Sequence, residues 1–327
     1  MRTLQRRIAA LVAASMAASM AAFAAQAQSL RSVESAAGAY EHARLGRIPA
    51  GFGAGEFTFE IWFRPDAAFP VGPCASTAQR LVNWCTQNNL PYPSSDWWFD
   101  GNFLLDGHNN GAFPNGTFSL QFYGGGRLRW LFGDGEGTAT AGSHWSVGDG
   151  RATGAPNLLD GQWHHATLVR RWSGSTAARL ELWIDGAFVH AETSNRRTDM
   201  RTWWDAYPDD GPAQDGWFVL AEKQVAENLV GVIEDYKGNV DELRFWSRAK
   251  PPSEIAATWA APLNGSEPGL VGWFDFSDVV PAATRACDRL EATRCLQIVA
   301  RGARSGISPD DAPLAQPVLY SNGFETP

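Results

Sequence analysis

The chain has 327 residues, 44% of them hydrophobic and 19% charged, with 33 Gly, 15 Trp and a formal net charge of −8. That much apolar residue can fill a core, which excludes a disordered chain, and the acidic balance argues against a nucleic-acid binder. Only the N-terminus carries a long apolar run, which argues against a multispanning membrane protein.

The N-terminus reads as an export signal. Arg2, Arg6 and Arg7 precede the apolar, small-residue run 8–25, and Ala25-Gln26-Ala27 fits the A-x-A cleavage rule. Cleavage after Ala27 leaves 300 residues and a charge of −11, since three of the 27 Lys and Arg leave and all 35 acids stay. No Cys precedes Cys74 and no second apolar anchor follows, so the product is expected to be secreted, extracellular or periplasmic, without membrane insertion. Residues 28–38 are expected to form a loose leader.

The first strand is clear: Phe57, Phe59, Ile61 and Phe63 alternate with Thr58, Glu60, Trp62 and Arg64. Phe118, Leu120 and Phe122 repeat the period. Gly124 to Gly126 then turn the chain into Leu128, Trp130 and Phe132. These glycines lie between strands, not before a helix, so they are not a phosphate loop. Further strands are expected at 163–171, 217–221, 239–246 and 270–276. Leu180, Leu182 and Ile184 alternate up to Asp185-Gly186, a hairpin signal, and the pattern resumes at Phe188 and Val189. One short helix is expected, with Ser253 as N-cap of 254–259 after Pro251-Pro252. The stretches 84–111, 133–161 and 201–216 are longer than hairpin loops, and loops of that length are usually functional or disordered.

The four cysteines fall into two close pairs. Export places them in an oxidising compartment, and of the three possible connectivities the local ones, Cys74 with Cys85 and Cys287 with Cys295, are favoured. The spacings do not match a zinc site.

Three segments together resemble a known family: GEFTFEIWFRP at 55–65, LLDGQWHHATLVRRWSGSTAARLELWIDGAFVH at 158–190 and GNVDELRFWSRAKPPSEIAATWAAPLNGSEPGLVGWFDFSD at 238–278. In order and spacing they look like the laminin-G-like jelly-roll domains of the concanavalin-A-like superfamily in secreted bacterial proteins. The resemblance implies an all-β sandwich of two antiparallel sheets over 39–280, with a disulfide-stapled extension and tail at 281–327. It places ligands on a concave face and its rim loops, and it implies a structural calcium against the strand of Asp241, with Glu41 alongside. Asp205, Asp209, Asp210 and Asp215 form a second, acid-rich loop.

The acids do not read as a glycosidase. Glu234-Asp235 and Asp241-Glu242 are adjacent pairs, which a strand splits between its two faces. His164 and His165 are likewise neighbours that cannot chelate one ion together, and they are expected to close a turn and pack. The tryptophans are the distinctive feature. Trp130, Trp163, Trp246 and Trp273 read as strand or motif packing, whereas Trp97-Trp98 and Trp203-Trp204 are adjacent pairs in long loops, near Trp84, Tyr92 and Tyr207. Flat indoles beside acids and amides suit sugar rings. The expectation is a monomeric binding module, non-catalytic, for carbohydrate or a glycoprotein surface through Trp97, Trp98, Trp203, Trp204 and Tyr207. A protein-interaction or adhesion module is the alternative, and a polysaccharide-acting hydrolase or lyase a third. The terminal YSNGFETP suggests no role beyond a tail.

Overall fold

The computed structural model describes residues 29–32, 41–67, 102–107, 116–123, 126–134, 145–147, 155–204, 218–220, 236–277, 285–300, 306–308 and 312–314. In chain order the strands are β1 (Ser29–Ser32), β2 (Glu41–Leu45), β3 (Phe57–Pro65), β4 (Asn102–Asp106), β5 (Phe118–Tyr123), β6 (Arg127–Phe132), β7 (Trp145–Val147) and β8 (His164–Ser173). They continue with β9 (Ala177–Ile184), β10 (Ala187–Ser194), β11 (Phe218–Leu220), β12 (Gly238–Trp246), β13 (Leu270–Phe274), β14 (Arg285–Cys287), β15 (Cys295–Ala300) and β16 (Gly306–Ser308). Two short helices, α1 (Arg201–Trp204) and α2 (Pro252–Thr258), complete the described elements.

Two antiparallel sheets form a sandwich. The first runs β10-β9-β8-β3-β12-β1-β16, with β13 also on β12, and the second runs β14-β15-β2-β11-β4-β5-β6-β7. The period-two residues make the core between them. Phe57, Phe59, Ile61 and Phe63 of β3 meet Phe118, Leu120 and Phe122 of β5 and Leu128, Trp130 and Phe132 of β6, all buried in one cluster. Edge-to-face aromatic pairs such as Phe59–Phe118, with ring centroids 5.6 Å apart, add to this burial.

Local signals act where expected. Asp185 and Gly186 both have positive φ, 49° and 74°, the geometry of a type I′ turn joining β9 to β10. Gly186 also faces Trp259 so closely that a Cβ would lie 2.4 Å from the ring. The helix begins earlier than expected: Pro251, not Ser253, is the N-cap, with no side-chain cap bond. Pro252 lacks an N–H and therefore fits the first turn without loss.

One expectation about the ends is corrected. The leader is not loose throughout, because Ser29–Ser32 pair with β12 on one side and β16 on the other, and Ser29 and Leu30 are buried. The disulfide-stapled C-terminal extension adds to the second sheet, where β15 pairs along β2 from Leu296↔Leu45 to Ala300↔Glu41. Both segments are short and weakly patterned, and it is their pairing with distant strands that makes them strands. Cys287 and Cys295 stand directly opposite each other in the β14–β15 ladder and are joined by a disulfide, as expected. Cys74 and Cys85 lie outside the described residues.

Candidate functional site

The two outer faces of the sandwich differ. On the first sheet the outward positions of β3, β8 and β12 hold Thr58, Glu60 and Trp62, Thr167 and His165, and Asp241, Arg244 and Trp246, set opposite one another by register. Over these three strands the face is closed, whereas Phe188 of β10, set edge-on against Trp183 at 5.3 Å, stays exposed. Ile255 of α2 packs on Val169 and Trp183, and Trp259 stacks on Trp62 at 5.4 Å. Beneath them lies an ion network. Lys250 Nζ donates to Glu60 Oε1 at 2.6 Å, Trp246 Nε1 donates to Glu60 Oε2 at 3.0 Å, and Arg244 Nε donates to Glu242 Oε2 at 2.9 Å. Trp273 Nε1 donates to the same Glu242 oxygen at 2.9 Å. Burial raises the Glu242 carboxyl above its ordinary value despite Arg244. His165 is driven well below 6.5, first by burial and then by the Arg244 and Lys250 charges, so it stays neutral.

Asp241 belongs to this internal architecture. A bulge falls between Asp241 and Arg244, where Glu242 takes φ 49°. Asp241 Oδ1 accepts the Glu242 N–H at 2.7 Å, and Oδ2 accepts the Ala312 N–H at 3.1 Å, with the side chain fully buried. Glu41 lies in β2 of the other sheet, where its backbone pairs with Ala300. Both Asp241 oxygens thus accept backbone N–H groups, and the Glu41 side chain lies outside the described residues. Asp205, Asp209, Asp210 and Asp215 lie outside the described residues, as do Glu234 and Asp235.

The outer face of the second sheet has another chemistry. Register sets Asp106 opposite Ser119, Phe103 opposite Gln121, and Gln121 opposite Arg129, alternating with the core-facing positions of β4, β5 and β6. Ser119 Oγ donates to Asp106 Oδ1 at 2.6 Å, and Arg129 Nη2 donates to Gln121 Oε1 at 2.6 Å. Phe103 is the apolar member of this row, and all five side chains are buried. The row was missed in the sequence, though the period carried it: if Phe118, Leu120 and Phe122 point inward, Ser119 and Gln121 point outward.

The expected tryptophan platform is only partly visible. Trp97, Trp98 and Tyr207, with Trp84 and Tyr92, lie outside the described residues. Of Trp203 the structure describes the backbone, in α1. Trp204 is corrected: it is 1% exposed and forms part of the core. Its ring stacks on Phe52 with centroids 5.9 Å apart, and Nε1 donates to the Gly116 carbonyl at 2.8 Å. The one-turn helix swings it inward, because its N–H is bonded back to Met200 O.

His164 and Asp185 explain two motif segments physically. His164 Nδ1 lies 2.9 Å from Asp185 Oδ2 and Nε2 lies 3.1 Å from Asp160 Oδ1. Asp185 Oδ1 also accepts the His165 N–H at 2.7 Å. These residues tie a loop to a hairpin turn, the turn-closing role expected of the two histidines.

Residues 37–256 match the family model described as the concanavalin A-like lectin/glucanases superfamily. Among solved structures, a Bacteroides ovatus protein described as a candidate carbohydrate binding protein is 14% identical, over 88% of this chain and 61% of its own length, with a TM-score of 0.49. This chain thus spans less than two thirds of that protein. A pentraxin of Limulus polyphemus is 13% identical over 71% of this chain and 81% of its own, with a TM-score of 0.40. The CBM40 of a Ruminococcus gnavus sialidase, solved with α2,3-sialyllactose, is 11% identical over 71% of this chain and 97% of its own, with a TM-score of 0.38. No curated protein matches the chain.

Proposed function

Because the chain belongs to the concanavalin A-like lectin/glucanases superfamily, we propose that it is a secreted, non-catalytic module that binds carbohydrate. The observation that carries this reading is that the outward side chains named above on both sheets are buried and bonded to one another, which leaves the long loops to meet a ligand. On the first sheet α2, Trp259 and the ion network cover the outward positions of β3, β8 and β12. The second sheet's row of Asp106, Ser119, Gln121, Arg129 and Phe103 is buried as well, with its polar atoms bonded to one another, so the contacts of this reading fall to the aromatic residues of the long loops. The acids of the described strands are engaged internally: Glu60 with Lys250, Glu242 with Arg244, Asp106 with Ser119. A hydrolase needs two carboxyls facing one substrate bond, and these are committed to other partners. Trp97, Trp98, Trp203 and Tyr207 are the aromatic contacts of this reading. Trp204 is not one of them.

Export is part of the proposal. Cleavage after Ala27 leaves β1 whole, with Ser29 as its first paired residue. No helix among the described residues is long and apolar enough to cross a membrane. The test is a titration of the mature protein against a broad panel of neutral and acidic oligosaccharides, read by calorimetry and by intrinsic Trp fluorescence. Saturable heat with at least one glycan class supports the reading. No heat and no fluorescence change across the panel at millimolar sugar, from a protein that melts cooperatively, overturns it.

A further inference from the structure

His164 sits between two carboxylates that belong to different parts of the chain. Asp160 stands in the segment 155–163 that leads into β8, and Asp185 stands in the turn between β9 and β10. Each ring nitrogen has its own acid, at 2.9 Å for Nδ1 and 3.1 Å for Nε2. An ionised carboxylate only accepts hydrogen bonds, and a neutral imidazole has one N–H. Both contacts can therefore be hydrogen bonds only when the ring carries two protons. In the neutral form one contact sets lone pair against lone pair.

We propose that His164 is a pH-operated clamp, which ties the segment 160–163 to the β9–β10 turn as an imidazolium and releases that segment when it loses a proton. Which partner lets go follows from how each is held. Asp185 is fixed three ways: Oδ2 to His164, Oδ1 to the His165 N–H at 2.7 Å, and its own N–H to the His165 carbonyl at 2.8 Å. Asp160 is held by the longer contact to His164 and by the Gln162 N–H at 2.8 Å, within its own short segment. Neutral His164 keeps Nδ1–H on Asp185 and gives up Asp160.

The extent of the release is bounded by what stays anchored. Leu158 is buried in the core and its N–H donates to the Gly126 carbonyl at 2.9 Å, so the movable piece is Asp160–Trp163. Gly161 of this piece faces Ala67, and Trp163 lies under Arg64 at 5.5 Å. Arg64 itself donates to Asn239 Oδ1 at 3.2 Å. The charges acting on His164 are those of Asp185 and Asp160. They outweigh the burial that disfavours the cation and raise the group above 6.5. Hydrogen bonds to Gln162 and His164 keep Asp160 below 3.8 although burial opposes them, so it remains an acceptor throughout. The release thus falls above pH 6.5. The clamp does not depend on what ligand the protein takes.

The test uses the mature chain. Histidine-selective NMR from pH 5 to 9 should show His164 titrating above 6.5, with the proton retained on Nδ1 in the neutral form. Hydrogen exchange of residues 160–163, corrected for intrinsic rates, should rise about tenfold across that titration, while 165–169 stay protected. Asp160→Asn should remove the exchange step and lower the titration midpoint. A His164 midpoint at or below 6.5, the neutral proton on Nε2, or equal protection of 160–163 on both sides of the titration overturns the clamp. Those readings come from the unmodified protein, so they stand even if the variant folds poorly.

Discussion

Replacing Trp204 by alanine separates a core residue from a ligand contact. The ring is enclosed by Phe52 at 5.9 Å and Phe118 at 6.4 Å, and Gly53, with φ 88°, approaches so closely that a Cβ would lie 2.0 Å from it. Truncating a buried Trp to Ala costs about 3–5 kcal/mol. The Gly116 carbonyl, which accepts Nε1 at 2.8 Å, is left unpaired at a further cost of about 1 kcal/mol. The expected loss is therefore about 4–6 kcal/mol, while Trp204→Phe keeps most of the ring and should lose only about 1–2 kcal/mol, roughly the bond and the missing ring atoms. Urea unfolding measures it. With a slope near the upper end for domains, about 3 kcal/mol per molar, the alanine midpoint falls by more than about 1 M and the slope is unchanged. Carbohydrate affinity, measured under conditions where both proteins are folded, should not change. An alanine variant as stable as the parent but with weakened sugar binding would refute the placement of Trp204 in the core.

Other consequences follow from the same contacts. Lys250→Met leaves the buried Glu60 carboxylate without its 2.6 Å partner and should destabilise by about 3–5 kcal/mol. Adding Glu60→Gln should restore most of that, so a double variant no more stable than the single one counts against the ion-pair account. The Cys287–Cys295 bridge spans eight residues, and removing it with a Cys287→Ser, Cys295→Ser pair should cost about 2.5 kcal/mol by loop closure, read as a fall in melting temperature. Arg248 donates to both oxygens of Glu254, and this bonding outweighs burial and holds the carboxyl below 4.5. Its contribution to stability is full above pH 4.5 and is lost as pH falls through the lowered folded value. A melting-temperature series from pH 6 to 3 should decline less steeply in Glu254→Gln, and an identical decline would show that the pair does not matter.

Much of the architecture was legible because its signals are local. Phe57 to Phe63 alternate over seven residues, the pattern of a strand that turns one side to an apolar core. Asp185-Gly186 supplies the two positive φ values that a tight hairpin needs. The short β1, β2, β14, β15 and β16 carry no such signal, and they exist as strands because partners remote in sequence offer a ladder. The candidate site divides in the same way. Ser119 and Gln121 were implied by the inward Phe118, Leu120 and Phe122. Their companions Asp106 and Arg129 became neighbours only through the β4–β5 and β5–β6 registers.

The sequence by itself determined the chain's strand-rich character, the β9–β10 turn, the export signal as an expectation and the family resemblance. Side-chain period, turn stereochemistry and ordered motifs are all properties of neighbouring residues. Only the tertiary structure decided the fate of particular groups. Trp204 and Asp241 look available in the sequence, one as a loop aromatic and the other as a strand acid. Burial and hydrogen bonding depend on what arrives from elsewhere in the chain: Phe52 and Gly116 for the indole, Ala312 for the carboxylate. The same holds for His164, whose two acids stand 4 and 21 residues away and meet at one ring only when the sheet has formed.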